Sequence, residues 1–164
     1  MKRFRMLALL FAPVLMALGF TAPAAHAAPP PPAQAHALSN DYTGYNVAVP
    51  SFTVNAEVDM AAGFASVLPE NPVSSGGHTY YQYVLAHNTA YCLQADLNNR
   101  TIDLGDCSAG GGRQDFWFNG TYINNLGAQG LGAGCLWGGG GPGSYVDLEA
   151  CADSGGFGWT EPDE

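Results

Sequence analysis

Two cysteine-bracketed segments of this chain repeat one another. The first runs from Cys92-Leu93 through Thr101-Ile102-Asp103-Leu104-Gly105-Asp106 to Cys107. The second runs from Cys135-Leu136 through Tyr145-Val146-Asp147-Leu148-Glu149-Ala150 to Cys151. The leading cysteines are 43 positions apart and the closing ones 44. A period of that size marks copies of one supersecondary unit sharing a core. Four cysteines allow three pairings. The repeat favours Cys92–Cys107 and Cys135–Cys151, because each copy then closes on itself. Each bridge would add roughly 3 kcal/mol in the chain-entropy picture. Widely spaced cysteines with no CxxC make a poor zinc site, so no metal is expected.

The copies extend past the cysteines. The first begins at Tyr83-Val84 and continues to Gln114 and Phe116-Trp117. The second begins at Tyr122-Ile123 and continues to Phe157-Gly158-Trp159. Thr101-Ile102-Asp103-Leu104 and Tyr145-Val146-Asp147-Leu148 alternate with period two, which predicts strands with one buried face. Asp103 and Asp147 then lie on the outer face, as solvated side chains rather than ligands. Residues 110–112 and 138–141 are glycine loops. No long stretch has a helical period, so the expected class is all-β.

An upstream copy lacks the cysteines. Val58-Asp59-Met60 lies 44 positions before Ile102-Asp103-Leu104, which lies 44 before Val146-Asp147-Leu148. Gly63 then stands where the closing cysteines stand, and Tyr42 or Tyr45 plays the part of Tyr83 and Tyr122. One unit of about 40 residues buries too little apolar surface to stand alone. Three can close on one another about a pseudo-threefold axis and hide their strand edges. If residues 38–77 are not a copy, the remaining half needs a partner copy.

The first 27 residues read as a secretory signal. Lys2, Arg3 and Arg5 precede an apolar run from Met6 to Phe20, and Ala25-His26-Ala27 is a small-x-small cleavage pattern. The run is short for a membrane span, which needs about 20 residues. Residues 28–37, with Pro29-Pro30-Pro31-Pro32, read as an extended tether. Residues 38–164 are left as one domain. An even cysteine count suits an exported, extracellular protein.

The leader takes most of the positive charge with it. Beyond it only Arg100 and Arg113 remain, against 14 carboxylates. Nucleic-acid affinity comes largely from Lys and Arg on phosphates, so nucleic acid is not an expected partner. Anionic membrane surfaces are excluded on the same ground.

The order Cys-Leu, apolar-Asp-Leu, Cys, then Gln-x-aromatic (Gln114-Asp115-Phe116) resembles the ricin-type lectin domain. The resemblance runs over residues 80–161. It implies a β-trefoil of three repeats of about 40–44 residues, the first degenerate and without cysteines. It also implies a core aromatic in each Gln-x-Trp place: Phe116 or Trp117 in one copy, Trp159 in the last. In that family a carboxylate two positions after the first cysteine commonly holds sugar hydroxyls, and an aromatic ring between the cysteines stacks on the sugar. Those carboxylate positions here hold Gln94 and Trp137. Asp96 substitutes if the turn is shifted, Gln94 bonds a hydroxyl more weakly than a charged group, and Trp137 is either the stacking ring or a cover for the rim. Gln114 reads as a structural hydrogen-bonding group.

Catalysis has little to stand on. His26 lies in the leader, His36 in the tether, and His78 and His87 in loop settings, and no GxSxG, P-loop or HExxH occurs. No cofactor is expected. The expected function is a secreted, non-enzymatic module binding a glycan or polysaccharide through Gln94, Asp96 and Trp137. The alternative is a β-trefoil protein-binding or inhibitor module that has lost its sugar site.

Overall fold

The computed structural model describes residues 35–160. The expected signal, the tether up to residue 34 and the last four residues of the expected domain lie outside them. Thirteen strands occur among the described residues: β1 (His36–Ala37), β2 (Ser39–Asn40), β3 (Asn46–Ala48), β4 (Asp59–Ala61), β5 (Ser66–Ser75), β6 (His78–Leu85), β7 (Tyr91–Asp96), β8 (Thr101–Asp106), β9 (Asp115–Phe118), β10 (Ile123–Asn125), β11 (Cys135–Trp137), β12 (Asp147–Glu149) and β13 (Trp159–Thr160). Three short 3-10 turns are the only helical elements there. The class is all-β. The fold begins earlier than the sequence suggests: His36–Ala37 pair with Val67 and Ser66 of β5, so the end of the expected tether is structured.

Three hairpins share one register. Val47 lies opposite Met60, Leu93 opposite Leu104, and Leu136 opposite Leu148. All six side chains are buried. Their neighbours along each strand point the other way, because side chains alternate across a strand. By that register Asn46 occupies the place of Cys92 and Cys135. Its amide donates to the Ala62 carbonyl at 3.5 Å, where the other two hairpins carry the disulfides Cys92–Cys107 and Cys135–Cys151.

The hairpins meet through a ring of backbone bonds. Val58 N–H donates to Ile102 O, Ile102 N–H to Val146 O, and Val146 N–H to Val58 O, at 2.9, 2.9 and 3.0 Å. A second ring lies outside it: Leu104 to Ala56, Leu148 to Arg100, and Met60 to Ser144. The upstream segment Val58-Asp59-Met60 therefore holds the same place as its two counterparts. The rings satisfy strand-edge groups that would otherwise be buried without partners.

Strands β6, β7, β8, β12, β11, β10 and β9 pair in that order, and β9 returns to β6. The enclosed core holds Leu38, Val47, Met60, Leu93, Ile102, Leu104, Phe116, Leu136, Val146, Leu148 and Trp159. Phe116 stacks on Tyr83 with ring centroids 5.3 Å apart. The Trp159 indole donates to Leu136 O at 3.0 Å, as a buried indole N–H requires. Phe116 rather than Trp117 fills the core place. Trp117 is half-buried and stacks on His78 at 3.6 Å between centroids. Tyr45, not Tyr42, packs against the core.

Two expectations from the sequence need correction. His78 begins strand β6 rather than lying in a loop. Asp103 is not a solvated outer residue but is 6% exposed. Gln94 flanks it on one side and Glu57 on the other, so the neighbouring hairpin covers a face that the alternation alone leaves open.

Candidate functional site

The outer face of the third hairpin brings an aromatic ring beside a carboxylate. Trp137 lies directly opposite Asp147 across β11 and β12. Asp147 in turn lies opposite Thr101 of β8. Directly opposed side chains stand about 4.5–5.5 Å apart at Cβ. Next to this row opens a polar cleft of about 460 Å³, lined by Asn99, Arg100, Gly132, Asp147, Leu148, Glu149 and Ala150. That volume is within the usual range of small-molecule sites, about 300–1,000 Å³.

Each wall has a local cause. Asn99 and Arg100 sit at the tip of the β7–β8 hairpin, where Arg100 takes a left-handed φ of 59° and its amide donates to Asp96 O at 2.8 Å. The Leu148 amide donates to Arg100 O at 2.7 Å and so docks that tip against β12. Asp147 and Glu149 alternate with buried Leu148 and face outward. Burial pushes the Asp147 carboxyl above the ordinary carboxylate range, and the Glu149 charge adds to it. The cleft thus offers two carboxylate acceptors together with amide and guanidinium donors. Groups of both kinds suit a polyhydroxyl ligand, whose hydroxyls donate and accept at once.

Trp137 is half-buried and held by glycine backbone. A Cβ on Gly139 would overlap its six-membered ring, and one on Gly156 would overlap its indole nitrogen. Gly156 also has φ +95°. The residue 138–141 loop and the 155–156 turn therefore hold the indole by close backbone approach, which only glycine permits.

The other two expected ligands are engaged differently. Gln94 Oε1 accepts from Gln114 Nε2 at 3.0 Å. The same Gln114 nitrogen donates to Asp106 O at 2.9 Å, and Gln114 Oε1 accepts from Gln82 Nε2 at 2.8 Å. Gln82 Nε2 also donates to Cys107 O, and Gln82 Oε1 accepts from Asn71 Nδ2 at 2.6 Å. Backbone carbonyls only accept, so they fix the orientation of every amide in the chain. Gln94 is its outer end, with its oxygen already taken. Gln114 is fully buried and structural in this arrangement.

Asp96 caps its own turn. One oxygen accepts from the amides of Asn98 and Asn99 at 2.9 and 3.4 Å, and the other from Asn99 Nδ2 at 2.8 Å. Asp96 and Trp137 are three strand spacings apart through Thr101 and Asp147, about 14 Å along the ladder. Gln94 and Asp96 share a strand, but Trp137 stands instead beside Asp147, which lines the cleft with Glu149, Arg100 and Asn99. The sequence marks Asp147 as an outer-face residue. The docking of Arg100 against it is a tertiary fact with no local signal.

His78 and His87 stand outside the cleft. His78 is on the Trp117 stack, and His87 lies in a turn beside an apolar cleft. No group of His, Cys, Asp or Glu able to hold a metal ion occurs among the described residues. No helix among them is long and apolar enough to cross a membrane.

No protein-family model matches the sequence, and no curated protein matches it. Among solved structures the chain is similar to a mosquitocidal holotoxin, at 12% identity and a TM-score of 0.63, over 77% of this chain and 17% of that one. The chain thus spans about a sixth of the holotoxin's length. At that identity the likeness is one of fold alone.

Proposed function

We propose that this chain is a β-trefoil of the ricin-type lectin kind, acting as a secreted, non-enzymatic module that binds a glycan. The backbone rings joining positions 58, 102 and 146 support three repeats about one axis. The observation that carries the function is the Trp137–Asp147 pair beside the polar cleft. The indole supplies an apolar face for the C–H side of a sugar ring. Asp147, Glu149, Asn99 and Arg100 meet its hydroxyls. Two carboxylates, Asp147 and Glu149, line the cleft. They favour a ligand without negative charge, since unpaired like charges repel. The two disulfides accord with an oxidising, extracellular setting.

The test is a tryptophan-fluorescence titration of the protein with galactose, xylan and chitin oligomers. Saturable change with one of them, lost in Trp137→Ala and weakened about tenfold in Asp147→Asn, is the expected result. A folded protein silent to all of them would overturn the reading.

One feature favours a second reading, a protein-binding module. Phe52, Val54 and Phe64 are each half or more exposed, and an apolar cleft of about 270 Å³ opens between Phe52, Phe64 and Leu85. Exposed apolar clusters of this kind mark interaction sites. A stoichiometric protein partner that survives excess free sugar and is lost in Phe52→Ser/Phe64→Ser would favour it.

A further inference from the structure

The outer face carries a second aromatic–carboxylate pair that neither the repeat pattern nor the cleft accounts for. Asp59 bridges Tyr145 in antiparallel pairing. By register Asp59 is the counterpart of Asp147, and Ala48 opposite it is the counterpart of Trp137. The first hairpin has therefore lost the ring from its own strand. An aromatic instead flanks Asp59 from the other side, donated by the third repeat. Where Asp147 has Thr101 as its inter-repeat neighbour, Asp59 has Tyr145.

This second pair is continuous with the first. Tyr145 and Asp147 alternate with buried Val146 and face the same way. Trp137 lies opposite Asp147, so Tyr145 is its diagonal neighbour across the hairpin. Diagonal neighbours on one face are about 7–8 Å apart. By register the two side chains project from the same face of the hairpin, with Asp147 directly opposite Trp137 and two residues from Tyr145. Tyr145 is 46% exposed. Its phenol donates to the Glu57 carboxylate, which holds the ring in place before any ligand arrives and lowers the entropy cost of binding. Asp59 is half-buried: its Oδ1 is enclosed without a hydrogen-bond partner, so a ligand hydroxyl meets the carboxylate at its other oxygen.

We infer that Tyr145, Glu57 and Asp59 form a second sugar subsite contiguous with Trp137 and Asp147, so that the ligand is a linear, uncharged oligosaccharide of several units crossing the seam between the third and first repeats rather than a single sugar. The inference rests on the glycan reading above. It adds that binding depends on chain length and on a residue contributed between repeats. The outward carboxylates at 57, 59, 147 and 149 set the same charge preference along the whole path, so polyuronates are excluded by repulsion.

The experiment is isothermal titration of the protein, its Tyr145→Ala, Asp59→Asn and Trp137→Ala variants, with xylose and N-acetylglucosamine and their linear oligomers of two to five units. For the series that binds, the trimer should bind at least tenfold more tightly than the monomer. Tyr145→Ala should raise the trimer Kd about tenfold while leaving the monomer Kd within twofold, and Asp59→Asn should shift the trimer in the same direction by less. Trp137→Ala should weaken both. Tyr145 is exposed, so its variant should keep the parent's melting transition, and Asp59→Asn preserves shape while removing a carboxyl raised by burial, so it should melt no lower than the parent at neutral pH. Binding that is independent of length, or a trimer Kd untouched by Tyr145→Ala, overturns the second subsite and leaves the first site standing. Absence of binding to every oligomer overturns both.

Discussion

Gln82 donates from Nε2 to Gln114 Oε1 at 2.8 Å, 32 residues further along the chain, and both side chains are buried. The bond ties β6 to the turn before β9. It is also the middle link of a chain that passes from Asn71 to Gln94, with the carbonyls of Asp106 and Cys107 taking the spare amide hydrogens. A fully satisfied buried network of this kind fixes one packing, and a half-satisfied one is costly.

Replacing Gln114 with leucine should therefore destabilise the fold by about 2–3 kcal/mol, because the Asp106 carbonyl and the Gln94 oxygen lose a donor and Gln82 loses an acceptor. Urea unfolding of Gln114→Leu against the parent reads this directly. A loss below about 0.5 kcal/mol, the level of an ordinary surface change, would show that the amide chain does not hold the turn.

Gly156→Ala should disturb Trp137 without touching the chemistry of the cleft. The added methyl meets the indole nitrogen and the Gly139 backbone, and the φ of +95° is already unfavourable for alanine. The expected outcome is a red-shifted tryptophan emission and loss of glycan binding at least as great as in Trp137→Phe. Unchanged emission would mean that the indole is not held by that turn.

The all-β class and the 44-residue spacing were legible because they are written in short-range pattern. Positions 58, 102 and 146 are spaced by 44, and the backbone rings bring those residues together. The cysteine pairing followed from the same spacing. The site was less legible. Trp137 stood out, but its partners did not, because Arg100 reaches the cleft through docking of one hairpin tip on another strand. Asp103 misled for the same reason: alternation assigns it to an outer face, and the neighbouring hairpin then covers that face. Gln94 looked available as a ligand, and only the buried amide chain shows that its oxygen is used.

Removing one disulfide tests how far the hairpins depend on covalent closure. The bridge Cys92–Cys107 spans 15 residues, and a loop of that length is worth about 3 kcal/mol. The first hairpin manages with a side-chain hydrogen bond from Asn46 in the same place. Cys92→Ser/Cys107→Ser should lower Tm by about 10 °C and keep a β-type circular dichroism spectrum at 25 °C. A chain unfolded at 25 °C would show that the bridge is required for folding rather than additive to it.

The pH dependence should run opposite to ordinary acid denaturation over the mildly acidic range. Burial raises the carboxyls of Asp59, Asp103, Asp115 and Asp147. Neighbouring carboxylates add to the shift: Glu57 at Asp59, Asp96 at Asp103 and Glu149 at Asp147. Asp106 alone among the shifted carboxyls moves down, through its hydrogen bonds to Ser108, and it is fully exposed. A carboxyl whose pKa is raised on folding holds its proton more tightly in the native state than in the unfolded chain. Stability then falls as pH rises from the ordinary carboxylate range, about 4, through the raised values, and is regained as pH falls through the same window. Relief of self-repulsion in a chain of formal net charge −9 acts in the same direction. Tm should therefore be higher at about pH 5 than at pH 7.5. Asp103→Asn should raise Tm at pH 7.5 and flatten the slope, since an amide oxygen still accepts from Thr101 without carrying the buried charge. Calorimetry across that range at fixed ionic strength decides the matter. A Tm that drops steadily from pH 7.5 to pH 5 would mean that these buried carboxylates are stabilised by contacts outweighing their burial.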